Sequence, residues 1–126
     1  MQLYKFSMEN LKRCVSKQGF HHNLKSWSFA EWTNAMAGEI GEACNITKKL
    51  LRLKLNIRGN KFTDLDFNKL KREAAKECID SIIYADLTIQ ALGFNTEELL
   101  IEVFNNKSIE IGYNRLLNNQ ELSNLV

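Results

Sequence analysis

Ser28-Phe29-Ala30-Glu31-Trp32-Thr33-Asn34-Ala35-Met36-Ala37-Gly38-Glu39-Ile40-Gly41-Glu42 holds both a helix start and a misplaced pair of charges. Ser28 and Glu31 have the spacing of a capping box, in which each side chain satisfies the other's free backbone amide, so a helix begins at Phe29. Its apolar positions, Trp32, Met36, Ile40, Ala43 and Leu50 among them, recur at helical spacing until about Leu53. Between Trp32 and Thr47 the only ionisable side chains besides Cys44 are Glu39 and Glu42. Residues three apart project from one helix face. Two carboxylates on one mostly apolar face require a compensating positive charge.

Downstream, Gly59-Asn60 marks a turn, and Asp64 or Asp66 can cap a further helix. Its apolar positions Leu70, Ala74, Ala75, Ile79, Ile82, Ile83 and Ile89 run to Leu92, with Gly93 as the stop. Glu77 and Asp80 repeat the three-residue spacing on this helix. The stripes Ala35, Glu39, Glu42, Ile46 and Glu77, Asp80, Tyr84, Leu87 both border the core, so the acid pairs are expected half-buried and facing each other. Two antiparallel helices packed ~8–10 Å apart would bring four carboxylates to a common centre. Unneutralised, they repel or take up protons. Magnesium, with manganese as a substitute, suits such hard oxygen ligands and shares its shell with water and substrate phosphates. The pattern points to phosphate-ester or phosphoanhydride chemistry.

The remaining chain fits an all-α reading of four to five helices in a bundle. Proline is absent and there are six glycines, so long helices meet few obligatory breaks. Ser7 can cap a first helix to about Lys17, ending at Gly19, with Phe20 to Trp27 as a loop. Asn95 or Thr96 caps a last helix to about Ile111, with Glu97 and Glu98 complementing its dipole. The tail after Tyr113 carries weak signals, compatible with a frayed helical turn.

Length and composition frame this reading. The 126 residues fit one domain spanning 1–126, and 44% hydrophobic content supplies a core. Net charge is +2, which is no global polyanion-binding signature. Cys14, Cys44 and Cys78 are widely separated and form no zinc pattern, as expected of free thiols in a reducing compartment. Residues 1–10 lack a signal-peptide core, and no apolar run reaches membrane-spanning length. A cytoplasmic protein without membrane association is expected.

The stretch Trp27 to Glu42 resembles the first motif of the MazG-like nucleotide pyrophosphohydrolases. Glu77-Cys78-Ile79-Asp80-Ser81-Ile82-Ile83-Tyr84 looks like that family's E-x-x-D segment, and Phe104-Asn105-Asn106-Lys107-Ser108 is similar to its downstream Asn/Lys segment. The likeness spans about Trp27 to Gly112. It implies the all-α NTP pyrophosphatase fold and hydrolysis of nucleoside triphosphates to monophosphate and pyrophosphate. By matching position, Glu39, Glu42, Glu77 and Asp80 would be magnesium ligands, Asn105 and Lys107 would hold phosphate or sugar oxygens, and Tyr84 would contact the nucleotide. Relatives are typically dimers or dimers of dimers, so a homo-oligomer that completes the core is expected.

Other residues keep two readings open. Glu39 or Glu42 would activate water. Where many relatives carry further basic residues after the Asn/Lys segment, this chain has Glu110 and Ile111, so Lys48, Lys49, Arg52 or Arg115 would meet phosphate instead, against a plain solvated-face reading. Trp27, Phe29 and Trp32 offer rings for base stacking or for the core, and His21 and His22 lie in the preceding loop. Asp86 is either an outer acid or a hydrogen-bond partner. A competing model makes Lys48, Lys49, Arg52, Lys54 and Arg58 a nucleic-acid or membrane-surface patch, but it leaves the four acids unexplained, and no stable nucleic-acid partner is expected. A third makes the chain a helical interaction protein with relic acids. Base preference is not legible.

Overall fold

The computed structural model describes residues 2–118. Among them the chain is all-helical, with helices α1 (Leu3–Val15), α2 (Phe29–Lys54), α3 (Phe67–Ala91) and α4 (Thr96–Glu110), and no strand. Single 3-10 turns at Leu24–Ser26 and Asp64–Asp66 lead towards α2 and into α3. Among the described residues no helix is long and apolar enough to cross a membrane.

The chain divides into two compact units, Trp27–Thr88 and the segments on either side of it. In Trp27–Thr88, α2 starts where the capping box places it. The Glu31 amide donates to the Ser28 hydroxyl at 3.2 Å, and the Ser28 amide donates to the Glu31 carboxylate at 2.7 Å. The cap ahead of α3 is Thr63 and not Asp64 or Asp66, because a 3-10 turn precedes the helix: Asp66 is the third residue of that turn and its carboxylate reaches back to accept from the Thr63 amide and hydroxyl at 2.8 and 3.2 Å. Twelve residues, Leu55 to Asp66, join the two helices. Glu42 lies twelve residues before the end of α2 and Glu77 ten after the start of α3, yet their carboxyl groups meet. Helices that meet at matching distances from their shared loop run antiparallel. The buried apolar residues of this hairpin are Trp32, Ala43, Leu70, Ala74 and Leu87.

In the other unit α1 packs on α4. Here α1 begins five residues earlier than a Ser7 cap would allow. Ser7 lies inside the helix, where its hydroxyl accepts a hydrogen bond from the Gln90 carboxamide at 2.9 Å, so its polarity serves a long-range contact instead of a cap. The helix ends at Val15, and the Phe20 amide folds back on the Arg13 carbonyl at 2.9 Å. This path brings Gly19 so close that a Cβ there would lie 1.8 Å from the Arg13 oxygen, which only glycine tolerates. Gly93, at φ +89°, ends the helical run after Ala91, with the Phe94 amide closing on the Ile89 carbonyl at 3.1 Å. Asn95 caps α4 by accepting from the Glu98 amide at 3.1 Å. Residues 113–118 have no regular structure, and the rest of the tail lies outside the described residues.

The capping box gives the first prediction. Ser28→Ala removes the side-chain acceptor at the start of α2, and we expect a loss of about 1 kcal/mol in unfolding free energy, read from urea denaturation. An unchanged midpoint would show that the box does not anchor the helix.

Candidate functional site

All four acids singled out by spacing lie on the α2–α3 hairpin. Oxygens of Glu39, Glu42 and Glu77 lie within 4.8 Å of one another. Glu39 and Glu77 are half-buried and Glu42 is exposed. Helical spacing aims Glu39 and Glu42 to one side of α2, and the hairpin turns Glu77 of α3 toward them. Asp80 is exposed, one turn further along α3, and adds its charge to the cluster without joining that tight triplet.

Electrostatics bear the mark of this crowding. The Glu77 carboxyl is held above its ordinary value of 4.5, first by partial withdrawal from water, then by the negative charges of Glu42, Glu39 and Asp80, and by a hydrogen bond with the Glu42 carboxyl. Each of these effects favours a positive charge among the carboxyl groups, which a proton or a cation would supply. The oxygens also fit one. Opposite ligands of an octahedral magnesium ion stand about 4.2 Å apart, close to the spread of the triplet, and all the donors are hard oxygens. Glu39, Glu42 and Glu77 are thus the residues that could hold a divalent ion, with Asp80 near enough for its charge to act on Glu77.

The remaining residues read from the sequence take several different positions. Tyr84, half-buried, stands one turn beyond Asp80 on α3. Trp27 packs its ring 4.7 Å from that of Trp32, which is buried to 1% exposure, so Trp32 belongs to the core and Trp27 lies against it. Lys48 is exposed on α2, and Lys49 carries its ammonium 5.6 Å from the centre of the Phe62 ring. Asn105 and Lys107 lie on α4, in the other unit. The Asn105 carboxamide donates to the Leu117 carbonyl and accepts from the Leu117 amide, both at 2.8 Å, and thereby pins the chain after α4. Lys107 pairs with Glu110 at 2.9 Å on an exposed surface. Asp86 is buried to 1% exposure.

One feature escaped the sequence reading. The α2–α3 loop, legible only as a turn at Gly59-Asn60, encloses an open recess of about 740 Å³ between Asn56, Arg58, Phe62 and Thr63. Asn60 shapes its wall by clasping the Phe62 backbone, accepting at 3.2 Å and donating at 2.9 Å. An Asn two residues before an aromatic was the available signal, since Asn side chains commonly bond the backbone two residues on.

No protein-family model, curated protein or solved structure shows significant similarity to the chain.

The raised Glu77 carboxyl has a definite sign in stability. The folded chain binds that proton more tightly than the unfolded chain does, so the group favours folding below pH 4.5, and the contribution is lost as pH rises through the raised value. In chelator and without divalent ions, Glu77→Gln should therefore melt at or above the parent temperature at neutral pH, with the difference closing below pH 4.5. A variant less stable than the parent at neutral pH contradicts a mutually repelling cluster.

Proposed function

We propose that the chain is a magnesium-dependent nucleoside triphosphate pyrophosphohydrolase that converts an NTP or dNTP and water to the monophosphate and pyrophosphate, acting in the cytoplasm in nucleotide-pool house-cleaning. The observation that carries the reading is the convergence of Glu39, Glu42 and Glu77 from two helices onto one point. Surface acids separate when they can, and these are held together by the hairpin. The MazG-like pattern of Trp27 to Glu42 and Glu77 to Tyr84 supports the same chemistry.

In this reading Glu39, Glu42 and Glu77 hold magnesium, with Asp80 as the fourth acid, and manganese can replace it. When bound, the ion neutralises charge on the triphosphate and on the departing pyrophosphate. The chain's own groups do the rest. Whichever of Glu39 and Glu42 retains an oxygen free toward water accepts the proton of the attacking molecule. Tyr84 faces the nucleotide from the next turn of α3. Lys48 and Lys49, on the same helix as Glu42, are available to phosphate oxygens, and Trp27 offers the edge of an aromatic pair to a base.

A homodimer or dimer of dimers accompanies this reading. Phe29, Ile40, Ile79 and Ile82 on α2 and α3 are each about half exposed or more, a cost that a second copy would remove.

A panel of nucleoside triphosphates assayed with magnesium for pyrophosphate release tests the proposal and identifies the base. Glu42→Gln and Asp80→Asn should each reduce turnover by about 100-fold or more, the loss expected when several kcal/mol of ion-mediated stabilisation is removed. Both variants should keep the parent's circular dichroism. Unchanged turnover in either, or no pyrophosphate from any nucleotide, defeats the assignment.

A further inference from the structure

The near-neutral total charge conceals a strong internal separation. Between Lys48 and Lys76 lie ten of the 17 basic residues and three of the 15 acidic ones, a net +7 against −5 for the rest of the chain. The antiparallel hairpin gathers these residues at its loop end. Lys48, Lys49, Arg52 and Lys54 occupy the last two turns of α2, Arg58 and Lys61 lie in the loop, and Lys69, Lys71, Arg72 and Lys76 lie on the first turns of α3. Lys69, Arg72 and Lys76 fall at i, i+3 and i+7, which sets them on one helix face over about 10 Å, with the half-buried Glu73 as the one acid among them. All three are exposed, and none of the ten cations makes an ion pair among the described residues. Cations that merely solubilise a surface are ordinarily interspersed with acids. Here they are segregated.

We infer that the loop end of the α2–α3 hairpin is a docking surface for single-stranded nucleic acid, held through its phosphates by the cations of both helices and with an unstacked base received in the loop recess. Segregated positive charge selects a polyanion. The recess of about 740 Å³ supplies what phosphate contacts alone do not, because Arg58, Asn56 and the Phe62 ring line a space that a base could enter only when freed from a duplex stack. Lys49 joins the two features, its ammonium lying 5.6 Å from the centre of the Phe62 ring that lines the recess. An anionic membrane would also attract the patch, and Leu65, 94% exposed, stands at the loop like an insertion residue. However, Asp64 and Asp66 flank Leu65 directly, so inserting it would press two carboxylates against anionic headgroups. A strand lying along the helix faces meets the cations with its phosphates and turns only an uncharged base toward the recess, whose lining includes Asp64.

Fluorescence anisotropy with a labelled single-stranded oligonucleotide of about 16 nucleotides, in chelator so that no hydrolysis intervenes, tests the inference on the full chain. Binding should weaken with salt, with a log–log slope of about −3 if four or five phosphates are neutralised. The double variant Lys69→Glu, Arg72→Glu should weaken it by at least about tenfold. Lys69→Gln, Arg72→Gln should give a smaller loss in the same direction, guarding against an effect of charge reversal on the helix. Neither residue belongs to the proposed hydrolytic site, so nucleotide hydrolysis by these variants should match the parent. No binding, binding that both double variants leave intact, or binding to phosphatidylserine vesicles that the oligonucleotide does not compete away overturns the inference. Since the readout is binding without divalent ions, it stands or fails apart from the hydrolytic activity.

Discussion

Three carboxyl groups within 4.8 Å of one another, contributed by two helices, are the constraint on which this hairpin turns. Like charges at that distance repel by an amount that depends on the surrounding dielectric, and partial withdrawal from water increases it. The chain does not escape the cost by rotating the side chains into solvent. Glu39 and Glu77 remain half-buried, and Glu77 responds by holding its proton more tightly. The arrangement is maintained by the apolar contacts beneath it, where Trp32, Ala43, Leu70, Ala74 and Leu87 are buried along the same two helices. Local stability is given up at one point and recovered in the packing, which is the usual relation between a binding site and its scaffold.

The same antiparallel geometry sorts the charges of the hairpin along its length. At mid-length it brings acids from both helices together, and toward the loop it brings cations together. A linear count gives near neutrality because these two groups cancel. Folding makes them separate surfaces, with different affinities for ions. One is suited in charge to a cation and the other to a polyanion, the partners proposed for them.

Helix positions were legible in the sequence wherever a local rule set them. Ser28 with Glu31, Gly93 and Asn95 act through groups at most five residues away, so spacing alone located the start of α2, the end of α3 and the start of α4. Ser7 shows the limit. Its residue type suits a cap, but its hydroxyl meets Gln90, 83 positions along the chain, and no local pattern encodes that contact. The site follows the same division. Two acid pairs at i, i+3 were visible as two helix faces, and the fold aligned three of the four in a tight group because Asp80 lies a turn too far along α3 to share it. Asn105 was read for its capacity to bind a ligand, whereas both ends of its carboxamide bond the backbone of Leu117, a partner twelve residues away in an irregular segment.

The exposed apolar residues carry the argument beyond one chain. Among the described residues six apolar side chains are buried, while Phe29, Ile40, Ile79 and Ile82 lie open on the helices that bear the acids. Burying them against a second copy would remove apolar area at about 25 cal/mol per Å² and would stiffen α2 and α3 at the level of the cluster. That stiffening matters because the repulsion among Glu39, Glu42 and Glu77 pushes the two helices apart. A hairpin held from outside could keep its carboxylates gathered after they lose their protons, whereas an isolated one would relax by spreading them. If a second copy covers these side chains and an ion occupies the cluster, as proposed, association and ion binding would be coupled, each making the other cheaper.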